Sequence, residues 1–349
     1  MRRPRPVDGG AAGPILAGRP LPRETMPPDR PPPSGPDSGP VTAADLEALL
    51  RASVAEGPGD PAGLFDPDGA LWQVDREALL FLGAGRALLL QLAHPWVAAG
   101  VAAHSVALDD PLGRFHRTFG IVFALVFGSV AQAEAAARRL HRRHAAVTGR
   151  LPGAAGPFAA GSPYRANDPA ALAWVHATLA DTALLVHDRV LPPLPAERRD
   201  LYWREQRRLA RLFGIRAEDL PPDWEAFQAG CRAAWDGPLL TVTPEARHVA
   251  ESLFRGRRPW LRTPRWLLDV TAVLLPERLA HGFGLVPDAR TRERAERALD
   301  RVRRSYPRLP GRLRFVAPYQ EARARLDGRP APDLGTRTLN RLWIGRDRL

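Results

Sequence analysis

Apolar and polar positions alternate at helical spacing along nearly the whole chain from residue 41 onward. In "VTAADLEALL" (41–50), Thr42 precedes the first periodic residues and reads as an N-cap. The stretch "DREALLFLGAGRALLLQLAHPWVAAGVAAHS" (75–105) is apolar on almost every side. It predicts central helices opened by Asp75 as N-cap and broken or kinked after His94 by Pro95. "DDPLGRFHRTFG" (109–120) offers Asp110 as a cap and Pro111 at the first helical position. "FGIVFALVFGSVAQA" (119–133) reads as a buried core helix, and "SVAQAEAAARRLHRRHAAVTG" (129–149) as an alanine-rich helix capped by Ser129 and ending by Gly149. After a Gly/Pro-rich loop over 150–163, Asp168 and Pro169 begin a helix whose apolar stripe is Leu172, His176, Leu179, Ala183 and Val186. An amphipathic helix over 195–214 closes at Gly214, and further helices are predicted at 222–236, 243–254, 263–275, 288–305 and 318–326. No period-2 strand and no internal repeat emerges, so the fold class is all-α.

Composition divides the 349 residues into three parts. Residues 1–40 hold about a dozen of the 37 prolines and read as a disordered tail rich in Pro, Gly and Arg. A single all-α domain is expected over 41–330, followed by a C-terminal tail over 331–349. The net charge of +12 suggests an anionic partner, but all 50 basic residues are arginines interspersed with acids, as in "RTRERAERALDRVRR" (290–304). That is the pattern of a solvated helix face, and nucleic acid is not an expected partner. One cysteine, Cys231, leaves no internal disulfide and no cysteine-ligated zinc or iron–sulfur site within one chain. No run of about 18 uninterrupted apolar residues predicts a transmembrane segment. "MRRPRP" at the start is not followed by the apolar stretch of a secretion signal, so the expected location is cytoplasmic.

Candidate chemistry lies with the nine histidines. His94, His104 and His176 are embedded in apolar sequence, where a hydrogen-bonded core role is the ordinary reading, and His116 lies between Phe115 and Arg117. There is no HExxH, GxSxG or P-loop, and no pair of Glu-x-x-His motifs for a carboxylate-bridged di-iron site. "GAG" at 83–85 lacks the preceding strand of a dinucleotide fingerprint. In "RRLHRRHAAVTG" (138–149), His141 and His144 stand three apart on one helix face. That face could hold a metal, point at a cofactor, or be a wet, basic helix end. A haem asks for little: one neutral histidine, apolar walls, arginines for propionates and a few distal polar groups.

Six blocks occur in order: "LLLQLAHPWVAAGVAAHS" (88–105), "DPLGRFHRTFG" (110–120), "HRRHAAVTG" (141–149), "YRANDPAALAWVHATLADTALL" (164–185), "YWREQRRLARLFG" (202–214) and "LLPERL" (274–279). Together, across roughly residues 70–325, they resemble the MpaB-type oxygenase family, which includes the latex clearing proteins, or rubber oxygenases. The resemblance implies a globin-like helical core with flanking helices and a haem b whose iron is held by the histidine of an H-x-x-V-x-G block, here His144 with Val147 and Gly149. It implies a distal pair, here Arg114 and Thr118, in catalytic roles. The cofactor-binding set it suggests is His144, His141, Arg117 and His176, with His176 the rival iron ligand and Arg142 and Arg143 as candidate propionate partners. Three departures stand out. His141 and Thr148 occupy positions that hold arginines in the rubber oxygenases; Arg117 replaces a lysine and cannot ligate iron; and no glutamate base is matched. The implied function is a haem b-dependent oxygenase acting on an apolar, isoprenoid- or lipid-like small molecule with dioxygen, an electron donor being a further candidate partner. The alternative is a haem-binding sensor or carrier without catalysis.

Overall fold

The computed structural model describes residues 39–104, 110–256, 262–329 and 331–349. The tail expected over 1–40 lies outside them except for its last two residues, and of His104 only the backbone is described. Among the described residues there are sixteen α-helices, and the class is all-α. They are α1 (Ala43–Glu56), α2 (Ala70–Asp75), α3 (Ala84–Leu92), α4 (Pro95–His104), α5 (Pro111–Phe127) and α6 (Val130–Ala145). A small antiparallel pair follows, β1 (Thr148–Arg150) and β2 (Pro163–Arg165), with Gly149 opposite Tyr164. Then come α7 (Pro169–Val190), α8 (Ala196–Arg211), α9 (Trp224–Asp236), α10 (Pro244–Arg255), α11 (Arg265–Leu274) and α12 (Glu277–Gly282). The chain ends with α13 (Ala289–Ser305), α14 (Gly311–Arg314), α15 (Ala317–Leu326) and α16 (Leu334–Ile344).

The helix starts follow from short polar side chains that satisfy the first free N–H groups. Thr42 accepts from Asp45 N while Asp45 returns a bond to Thr42 N, and Ser129 and Gln132 do the same at the start of α6. Asp110 accepts from Gly113 N ahead of Pro111, and Asp168 accepts from Ala170 N and Ala171 N ahead of Pro169. At α2 a distant residue takes the place of a local cap. Gly69 offers α2 no side chain, and Glu205 of α8 accepts from Leu71 N at 2.6 Å instead.

Three segments differ from their sequence patterns. Asp75 does not cap a helix start; it is the last residue of α2. Past it the chain forms a 3₁₀ turn (Ala78–Gly83) and α3, then bends by about 100° into α4 at Ala93–His94, the break that Pro95 predicts. The apolar run at 119–133 is not a separate helix, because α5 continues from Pro111 to Phe127. The stretch 331–349, which reads as a tail, carries α16, packed on α5 and α15 with Ile344 buried. Its anchors are long-range: Asn340 donates to Glu321 at 2.7 Å, and the Leu349 amide donates to the same carboxylate.

The largest buried cluster joins Trp72 of α2, Phe127 of α5 and Tyr202 and Trp203 of α8. Two buried ionic clusters tie the helices around it. Arg86 of α3 meets Asp181 of α7 at 2.7 Å and donates to Thr182 Oγ1 and to the Leu274 carbonyl of α11. Glu77 takes both guanidinium arms of Arg314, at 2.9 and 2.8 Å. By length and composition α7 alone among the described helices could cross a membrane, and half of it is buried inside the protein.

Candidate functional site

The bent α3–α4 pair, α5, the end of α6, α7 and α8 surround a cavity of about 630 Å³. That size suits a cofactor or small-molecule ligand. Its walls are largely apolar, with Phe81, Phe115, Phe119 and Phe123 on one side. The half-exposed Leu179 and Ala183 of the α7 stripe open onto this cavity.

Five of the six site residues singled out in the sequence line it: Arg114, Arg117, Thr118, His144 and His176. Arg114 and Thr118 are one turn apart on α5 and so share a face. Burial, with Arg117 adding to it, lowers the Arg114 pKa, yet a guanidinium stays cationic. Arg117 donates to Asp110 Oδ2 at 3.0 Å and is largely exposed; Arg143 and Arg165, also exposed, line the same cavity.

His144 closes the last turn of α6. Burial, and then the charges of His141 and Arg143, hold its pKa down to about 4, so the imidazole is neutral above that pH. The Val147 side chain of the following turn also lines the cavity. The glycine two residues on has a steric origin: a Cβ at Gly149 would lie 2.5 Å from the Tyr164 hydroxyl, so any larger residue would force the Tyr164 ring to move.

His176 is fixed differently. Its Nε2 donates to Gln206 Oε1 at 2.9 Å, because the Gln206 amide nitrogen is committed to Tyr202 Oη at 2.8 Å. Its Nδ1 is buried without a partner, and burial lowers its pKa to about 4. The ring packs against Trp203 and Phe213.

The sixth residue, His141, does not reach the main cavity. It lines a second one of about 620 Å³, which it shares with His144, Thr148 and Asn167, and the Asn167 amide approaches its Nδ1 at 3.4 Å. His141 and His144 share a helix face, but the hairpin β1–β2 continues from that helix end and divides the space beyond it. His144 therefore stands in the wall between the two cavities.

Sequence reasoning missed Asp75. An aspartate after "ALWQV" and before another helical run reads as a cap, and nothing local reveals that it lines a cavity. Burial, with the Glu205 carboxylate adding to it, pushes its pKa up to about 8. Among the described residues no cluster of three or more His, Cys, Asp or Glu side chains is placed to hold a metal ion by itself.

Residues 71–305, about two thirds of the chain, match the family model described as the catalytic domain of ER-bound oxygenase mpaB/B' and rubber oxygenase. No curated protein and no solved structure matches.

Proposed function

Since the chain belongs to the mpaB/rubber oxygenase family, we propose that it is a haem b-dependent oxygenase of an apolar small molecule. The observation that carries this reading is the convergence of His144, Arg114 and Thr118, from two separate helices, on one apolar cavity. The residues present fit the cofactor. His144 offers a neutral imidazole, the form that ligates. Arg117, Arg143 and Arg165 line the same cavity and are exposed, which suits propionate carboxylates beside solvent.

When bound, the haem would supply the redox-active iron that activates dioxygen. This chain's own residues bind and orient. Arg114 brings a desolvated positive charge and Thr118 a hydroxyl to the same face, and both favour negative charge developing on oxygen in the cavity. The phenylalanines of α5 exclude water and take up the hydrocarbon part of a substrate. Arg117 offers its guanidinium at the same cavity as an anion partner.

The test is haemin titration of the full-length protein, followed by oxygen uptake with a panel of isoprenoids and unsaturated fatty acids. Stoichiometric haemin uptake and substrate-dependent oxygen consumption are expected. Haemin uptake without turnover by any member would favour a sensor or carrier. A folded protein that takes up no haemin contradicts the reading.

A further inference from the structure

We propose that Asp75 is the polar anchor of the main cavity, its carboxyl group donating a hydrogen bond to a carbonyl or hydroxyl oxygen of an otherwise apolar ligand. The substrate class is then an oxygenated lipid or terpenoid, in preference to a pure hydrocarbon. This deepens the proposed function by naming a feature of its substrate, but it rests on the cavity itself and does not require the haem.

Asp75 lines the cavity, and no hydrogen bond of its carboxyl group occurs among the described residues. Every neighbouring acid is engaged. Glu205 accepts from Leu71 N, Glu77 holds Arg314, and Asp181 holds Arg86. The adjoining polar chain is spent on itself at its inner end: His176 Nε2 donates to Gln206, which donates to Tyr202, and only His176 Nδ1 lacks a partner among the described residues. Asp75 is therefore an acid with unused hydrogen-bonding capacity on a wall that is otherwise mostly apolar. A ligand oxygen would supply the partner that this group lacks within the protein.

Its place in the fold selects the neutral acid. Asp75 ends α2, and the free carbonyls of a helix C-terminus disfavour a carboxylate. The elements packed on α2 bring Tyr202 and Glu205 from α8, His176 and Asp181 from α7, and Arg114 and Arg117 from α5. Of these, Glu205 raises the Asp75 pKa further, and Asp75 in turn raises that of Tyr202. A neutral acid can donate as well as accept, so it matches a ketone or an alcohol. It does not match a second carboxylate as a charge partner would.

The experiment uses the full-length protein and a matched probe pair, 2-undecanone and undecane, followed by tryptophan fluorescence. The ketone should bind about tenfold more tightly than the alkane, the scale of one well-made hydrogen bond. Asp75→Leu should abolish that preference. In the wild type the ketone preference should fall as the pH rises through about 8, where the acid deprotonates. Asp75→Asn, which keeps a donor and the volume, should retain the preference with a flat pH profile, and this comparison stands if the leucine variant does not fold. Equal affinity for the two probes, no binding of either, or a preference that survives Asp75→Leu would overturn the proposal. A protein that fails to take up haemin yet discriminates the probes through Asp75 would overturn only the haem reading.

Discussion

His144 and His176 line one cavity, yet only His176 is tied down: its Nε2 lies 2.9 Å from Gln206 Oε1, while no hydrogen bond among the described residues reaches the His144 ring. Both imidazoles are held neutral by burial. The difference decides which one can ligate. To bind a metal through Nε2, His176 would have to break a buried hydrogen bond, and its Nδ1 is sealed from solvent. His144 can accept a ligand at no such cost.

Arg114 and Thr118 are predicted to act on turnover more than on cofactor uptake. Replacing Arg114 by Leu removes the desolvated cation and should lower kcat by about 10²–10³, the scale of one lost donor in an electrostatic site. Thr118→Val should cost less, since a neutral hydroxyl is the weaker donor. Haemin affinity, measured by titration, should change little in either variant.

The ion pair between Arg86 and Asp181 is predicted to be a structural requirement. Asp181→Ala leaves the nearly fully buried Arg86 uncompensated and should cost about 3–5 kcal/mol in urea unfolding. The double variant Arg86→Met/Asp181→Leu should recover most of that loss, because no charge is then stranded.

Two opposing contributions should shape the pH dependence of stability. His94 and His176 have native pKa values near 4 against an unfolded value of 6.5. Between these values the unfolded chain binds protons that the native state declines, so stability should climb from pH 4 to 6.5 and be complete above it. His176→Gln should flatten that climb. Asp75 is the reverse case: its native pKa of about 8 lies above the 3.8 of an unperturbed aspartate, so its contribution falls as the pH rises from 3.8 to about 8. Asp75→Asn should therefore stabilise the protein at pH 8 and make little difference near pH 4, as read from urea midpoints.

Gly149→Ala should destabilise the hairpin by about 1–3 kcal/mol, since the added methyl would overlap the Tyr164 ring. Because β1 follows the turn after His144, the same variant should weaken haemin binding. Unfolding midpoints and haemin titration on one preparation check both effects.

What the sequence makes legible here is local. Thr42, Asp110, Ser129 and Asp168 announce their helices because a cap bonds within three residues of itself. The turn at Pro95 is visible for the same reason. Asp75 is misread because its role depends on α5, α7 and α8 closing around it, and α2 is invisible because its cap, Glu205, lies 134 residues from Leu71. α16 escapes notice because its anchoring partner, Glu321, sits on another helix. Within the site, the 3.6-residue repeat pairs Arg114 with Thr118 correctly. It also pairs His141 with His144, but of the two only His144 reaches the main cavity as well as the second.

The central claim is that His144 holds the cofactor. The most direct measurement is the absorption spectrum of full-length protein produced with haem supply, beside His144→Ala and His176→Ala. A Soret band that survives in His176→Ala and is lost or shifted in His144→Ala is the predicted result. A band indifferent to His144→Ala, or a folded wild type with no band after haemin addition, would contradict the account.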